Sequence, residues 1–176
     1  MRVRTPVVLL VALAALAPFR PVVAAERPPV CTIDGTGGND ILNGTGNDDI
    51  ICGKGGNDII RGKGGADVIG GGDGNDNLEG GTGNDAVEGG NGNDNLFGDD
   101  GNDYLDGGNG ADSIVGKGGK DKVLGGSDSD PCLVTKDGVG GDIINGGPGT
   151  DTYSKDPGDT LKSGEHAADC VPPTEV

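Results

Sequence analysis

From Leu42 onward an aliphatic residue returns at every ninth position: Leu42, Ile51, Ile60, Ile69, Leu78, Val87, Leu96, Leu105, Ile114 and Val123. The same frame puts Cys132 next, and Ile144, Tyr153 and Leu161 follow with broken spacing. Gly, Asn and Asp dominate the residues between. A period of nine matches neither the 3.6 of a helix nor the continuous alternation of a long strand. It predicts a short extended segment, one side chain in and its two neighbours out, followed by a turn. One such unit cannot bury its aliphatic side chain alone. Two units make a flattened coil of eighteen residues, and stacked coils bury columns of aliphatic side chains between two parallel sheets. The expectation is therefore an all-β, parallel β-solenoid.

Two residues before each aliphatic position stands an aspartate. Asp40, Asp49, Asp58, Asp67, Asp76, Asp85, Asp94, Asp103, Asp112, Asp121 and Asp130 keep a strict interval of nine, and Asp142, Asp151 and Asp159 continue irregularly. The unit reads G-x-x-G-x-D-x-U-x with U apolar, often with a second Gly after the first. Stacking the coils also stacks the aspartates at about 5 Å, the strand spacing. Two bare carboxylates at that distance repel by about 3 kcal/mol at an effective dielectric near 20. A divalent cation between successive turns reverses the sign of that term. Carboxylates with inward-turned glycine carbonyls form a ligand set for a hard cation of loose geometry, calcium before magnesium. The candidate metal ligands are Asp40 to Asp121 in the series above, with the turn glycines Gly71, Gly74, Gly80, Gly83, Gly89, Gly92, Gly98, Gly101, Gly107 and Gly110.

These residues closely resemble a known family. GGTGNDAVE, GGNGNDNLF, GGNGADSIV and GGDGNDNLE are similar to the nonapeptide of the RTX, or haemolysin-type, calcium-binding repeats. The resemblance spans roughly residues 35–161. It implies a right-handed parallel β-roll with calcium held between consecutive turns by Asp carboxylates and loop carbonyls. Eleven in-frame loops give about nine sites at most in the regular stretch. Many relatives carry a toxin, protease or lipase domain and a C-terminal export signal. This chain leaves only 26–34 and 162–176 outside the array, too little for a catalytic domain.

Composition sharpens the reading. The chain has 29 acidic and 13 basic residues, a net charge of −16, 39 Gly and no Trp. Such acidity argues against nucleic acid as a partner and leaves a disordered polyanion as one rival; an in-frame aliphatic position argues against that rival. A basic MRVR, the apolar VVLLVALAALA and a small-residue PVVAA read as a secretory signal over 1–25, cleaved after Ala25. Its removal takes Arg2, Arg4 and Arg20 and moves the charge to −19. The rest of the chain offers no membrane span. The expectation is a secreted, non-catalytic calcium-binding protein that folds on calcium and serves as a structural, adhesive or calcium-sequestering module. The alternative is a non-catalytic subunit or remnant of an extracellular RTX enzyme. A protein or polysaccharide partner outside the cell is left open.

The irregular parts suggest how the array is bounded. The expected division is a cap segment at 26–34, a regular roll at 35–133, an irregular continuation at 134–161 and a tail at 162–176. Thr36, Thr45, Lys54 and Lys63 replace the second Gly of their units. GGSDSDPCL lacks the fourth Gly and carries Pro131 after its Asp, so the roll is expected to break there. Four cysteines in an exported chain suggest two disulfides, with three pairings open. Cys31 lies about one coil before Cys52, suited to stapling the first turn, and Cys132 with Cys170 suits the other end.

Overall fold

The computed structural model describes residues 30–176 except 136, 164–165, 168–169, 171 and 173–176. The leader expected over 1–25, with its cleavage point, lies outside the described residues. The strands are β1 (Ile33–Asp34), β2 (Ile41–Asn43), β3 (Ile50–Gly55), β4 (Ile59–Gly64), β5 (Val68–Asp73), β6 (Asn77–Thr82), β7 (Ala86–Asn91) and β8 (Asn95–Asp100). They continue as β9 (Tyr104–Asn109), β10 (Ser113–Gly118), β11 (Lys122–Ser127), β12 (Cys132–Val134), β13 (Ile143–Asn145), β14 (Thr152–Ser154), β15 (Thr160–Ser163) and β16 (His166–Ala167). Odd strands form one eight-stranded sheet in sequence order and even strands form the other. Every pairing is parallel, and through the regular stretch the register is eighteen residues, as in Ile51↔Ile69 and Leu78↔Leu96. The result is an all-β parallel solenoid of about seven turns.

The aliphatic column fills the space between the sheets. Ile51, Ile60, Ile69, Leu78, Leu96, Leu105, Ile114, Val123 and Ile144 are completely buried, and Val87 nearly so. Ile33, Leu42, Tyr153 and Leu161 pack against this core from the two ends and are only partly covered. Each inward side chain has outward neighbours because successive residues of a strand face opposite sides. Phe97 and Val115, neighbours in register on the outward side, are buried as well. The Lys117 ammonium sits 5.6 Å from the centre of the Phe97 ring.

The structure corrects two expectations. The roll does not break at Pro131: β12 pairs with both β10 and β14, and β13 with both β11 and β15. Pro131 has no N–H to give a neighbouring strand, and it is accommodated as an extra residue just before β12. That extra residue shifts the frame by one. Ser113 pairs with Cys132 and Ile114 with Leu133, so Leu133, and not Cys132, takes the inward position. The chain also adds residues before Asp142, which makes the next register Lys122↔Ile143. A register irregularity between Ile144 and Asn145 absorbs the final mismatch.

Cys31 bonds to Cys52 and Cys132 to Cys170, leaving no free cysteine among the described residues. The segment expected as an N-terminal cap contributes β1, which extends the odd sheet by pairing with β3.

Candidate metal sites

Each turn places its aspartate by a ladder of hydrogen bonds that runs the length of the roll. The backbone N–H of Asp40 donates to Oδ1 of Asp58, Asp58 to Asp76, Asp76 to Asp94, and Asp94 to Asp112, at 2.7–2.8 Å. On the other edge Asp49 donates to Asp67, Asp67 to Asp85, Asp85 to Asp103, and Asp103 to Asp121, at 2.8–2.9 Å. The ladders continue from Asp112 to Asp130, Asp121 to Asp142 and Asp130 to Asp151. A strand spacing of about 5 Å allows this reach because one carboxylate oxygen points back along the stack. The ten aspartates named from the sequence are thus brought into two columns, joined by Asp130, Asp142 and Asp151.

The other oxygen separates two kinds of turn. Oδ2 of Asp58, Asp67, Asp76, Asp85, Asp94, Asp103, Asp112, Asp121, Asp130, Asp142 and Asp151 is buried and accepts no hydrogen bond. A buried carboxylate oxygen without a partner is costly, and eleven at equivalent positions point to one shared cause. In the first coil the same oxygen is satisfied within the protein. Oδ2 of Asp40 accepts from the N–H and O–H of Thr36 at 2.6 and 2.9 Å. Oδ2 of Asp49 accepts from the N–H and O–H of Thr45, both at 2.8 Å. At the far end Asp159 accepts from the Thr135 hydroxyl and from the N–H groups of Asp156, Gly141 and Asp142.

The glycines make room for these oxygens. A Cβ on Gly71 would fall 2.3 Å from Asp76 Oδ2 and 2.6 Å from the Gly89 carbonyl oxygen. Gly80, Gly89, Gly98 and Gly107 stand in the same relation to Asp85, Asp94, Asp103 and Asp112. Gly74, Gly83, Gly92, Gly101 and Gly110 serve differently: they take positive φ and lie against the carbonyl of the equivalent turn one coil earlier. Where the unit lacks this fourth Gly, Asp128 adopts φ 78° in its place.

Electrostatics follows the same division. Burial is the main cause that pushes Asp94, Asp103, Asp121 and Asp130 up to about 7, opposed by the N–H bond and aided by neighbouring carboxylates. Burial likewise pushes Asp76, Asp85 and Asp112 to about 6. Asp49 is held below the ordinary carboxylate range by its hydrogen bonds to Thr45.

Such a donor set fits a hard cation. It offers buried carboxylate oxygens with glycine carbonyls close by, the oxygen-only chemistry that calcium prefers. Among the described residues no three His, Cys, Asp or Glu side chains converge on one point. Among them, too, no helix is long and apolar enough to cross a membrane.

Comparison with known proteins agrees. No curated protein matches the chain. The family model described as the RTX calcium-binding nonapeptide repeat (4 copies) matches in overlapping stretches at residues 32–60, 53–87, 70–105, 88–123 and 97–130. Together these cover more than half of the chain.

Proposed function

The chain belongs to the RTX calcium-binding nonapeptide repeat family, and on that premise we propose that it is an exported module which calcium folds. The eleven buried, unpartnered Oδ2 oxygens carry this reading. Without a cation they add desolvation and mutual repulsion to a fold whose core is one aliphatic side chain per nine residues. With calcium between turns, the same oxygens become attractive contacts. Along the two ladders these carboxylates bound five and four intervals, nine in all. The sites we assign begin one coil later than the aspartate series itself and run on to Asp142 and Asp151. When bound, calcium supplies the positive charge between turns; Asp, through Oδ2, and the first-position glycine carbonyls of the next coil would hold it.

Two disulfides in a chain with calcium repeats support an extracellular setting, where thiols stay oxidised and extracellular modules bind calcium at about 10⁻⁴–10⁻³ M. The role that fits is structural, adhesive or calcium-sequestering, without catalysis of its own. Far-UV circular dichroism during calcium titration of chelated protein tests it, with magnesium as control. A cooperative coil-to-β transition with calcium alone is expected. A fully formed β signal in chelator, or no change up to millimolar calcium, overturns it.

A further inference from the structure

The first two coils have no Gly at the second position of either unit, a position that Asp99 and Lys117 also fill singly in later coils. Thr36 and Thr45 hold it in the first coil, Lys54 and Lys63 in the second, Gly72 and Gly81 in the third. Lys54 and Lys63 adopt φ values of 82° and 81°, a conformation disfavoured for any residue with a Cβ. A glycine, as at Gly72 and Gly81, would take it freely. The two lysines make the same contact. Lys54 Nζ donates to the Gly35 carbonyl at 2.7 Å, and Lys63 Nζ to the Gly44 carbonyl at 2.8 Å, each nineteen residues back. Lys54 also pairs with Asp34 at 2.7 Å.

Gly35 and Gly44 are the first-position glycines of the first coil. Each ammonium therefore spans the interval between the first and second coils, one on each edge of the roll. In those two intervals the first-coil Oδ2 oxygens are already taken by Thr36 and Thr45. A charged donor to a carbonyl is among the stronger hydrogen bonds. Lys117 stands at the same unit position with φ 65°, and its ammonium pairs with the Asp99 carboxylate of the preceding coil.

We propose that Lys54 and Lys63 are resident cations of the interval between the first and second coils, supplying there the positive charge that calcium supplies in the later intervals, though through the first-coil carbonyls of Gly35 and Gly44. The first two coils, closed by the Cys31–Cys52 bond, then fold without calcium and form the template on which the calcium-dependent coils are laid. Each coil of a solenoid gains stability from its neighbour, so the first coil is the hardest to form. The inference rests on the calcium-folding reading above and adds a starting point and a direction to it.

Hydrogen exchange on the oxidised full chain in chelator is the test, beside a calcium titration followed by native mass spectrometry. In the wild type, amides of β3 and β4 are expected to be protected while those of β6 to β11 exchange freely. Lys54→Gly/Lys63→Gly should lose that protection and raise the calcium midpoint by roughly threefold or more. Its calcium stoichiometry at saturation should stay unchanged, because the eleven uncommitted carboxylates are untouched. Lys120→Ala, which removes a charge at an exposed position, should match the wild type. Because glycine relieves the positive φ, an ammonium without a role would leave protection equal or greater, and that result overturns the inference. Equal exchange along the whole wild-type chain in chelator does so too. A wild type that takes up no calcium overturns the calcium-folding reading itself, a failure visible in the titration and separate from the exchange pattern.

Discussion

The first coil and the central coils share one backbone plan and answer the same electrostatic problem in different ways. Around Asp40 and Asp49, threonine N–H and O–H groups occupy the second carboxylate oxygen. Around Asp76 to Asp130 no group among the described residues does, and burial raises the carboxyls to about 6 or 7. The difference teaches that the repeat is defined by its geometry, whereas its need for an ion is set by a single side-chain position. A turn with threonine there is complete; a turn with glycine there is not.

The comparison can be broken most severely at the first-position glycine. Gly107→Ala would put a methyl 2.3 Å from Asp112 Oδ2 and 2.4 Å from the Gly125 carbonyl oxygen. A cost of about 3 kcal/mol or more is expected in calcium. The first-position Gly44 of the first coil is as confined, 2.3 Å from the Gly62 carbonyl oxygen, whereas the third-position Gly46 has nothing within 4 Å of an added Cβ, and Gly46→Ala should change stability by less than about 1 kcal/mol. Thermal unfolding of both variants at saturating calcium reads the contrast; equal losses would remove it.

A smaller effect is expected from neutralising one carboxylate. Asp94→Asn should lose at least one bound calcium, because Asp94 borders two intervals of its ladder, and should unfold at higher free calcium. Asp40→Asn should keep the wild-type stoichiometry and lose only the extra strength of charged hydrogen bonds to Thr36, about 1 kcal/mol. Ion counting by native mass spectrometry distinguishes them.

Protons sharpen the contrast further. In the calcium-free roll the central carboxyls sit at about 6 to 7, above the 3.8 of an unfolded aspartate. The folded form then binds more protons than the unfolded chain between those limits, so its stability falls as pH rises through the window. Calcium needs the carboxylates ionised, so its affinity should rise over the same window with release of protons. Asp49, held low, contributes in the opposite sense: its share is present above the ordinary range and lost as pH falls through its lowered value. Calcium-free protein should therefore gain β signal from pH 8 to pH 5 in the central coils and not in the first. Residue-resolved exchange at the two pH values checks this, and a uniform response along the chain would contradict it.

Much of this architecture was legible because a nine-residue frame leaves few choices. The aliphatic column, the two parallel sheets and the aspartate columns all follow from the spacing of Leu42 to Val123 and Asp40 to Asp121. What the frame hides is an insertion. Counting by nine puts Cys132 inside, and only the extra residue at Pro131 reveals that Leu133 belongs there. The segment before Gly35 has no Gly, and Cys31 stands where the repeat's Asp would precede Ile33, yet Ile33 stands eighteen residues before Ile51 and so falls in register. The division among turns was visible only as substitutions of the second Gly. What Thr36, Thr45, Lys54 and Lys63 do depends on contacts across coils, which a pattern within one unit does not state.

The two disulfides have a mechanical consequence. A stack of coils held edge to edge is easily peeled, because tension on a terminus strips one strand at a time from a neighbour on one side only. Cys31–Cys52 and Cys132–Cys170 close the chain back on itself at both extremities. Load entering at residue 31 passes directly to β3, and load entering at residue 170 to β12; each of these strands is flanked on both sides. Pulling on either terminus then has to shear interior strands together, so the array is protected where a tether to a surface would strain it first.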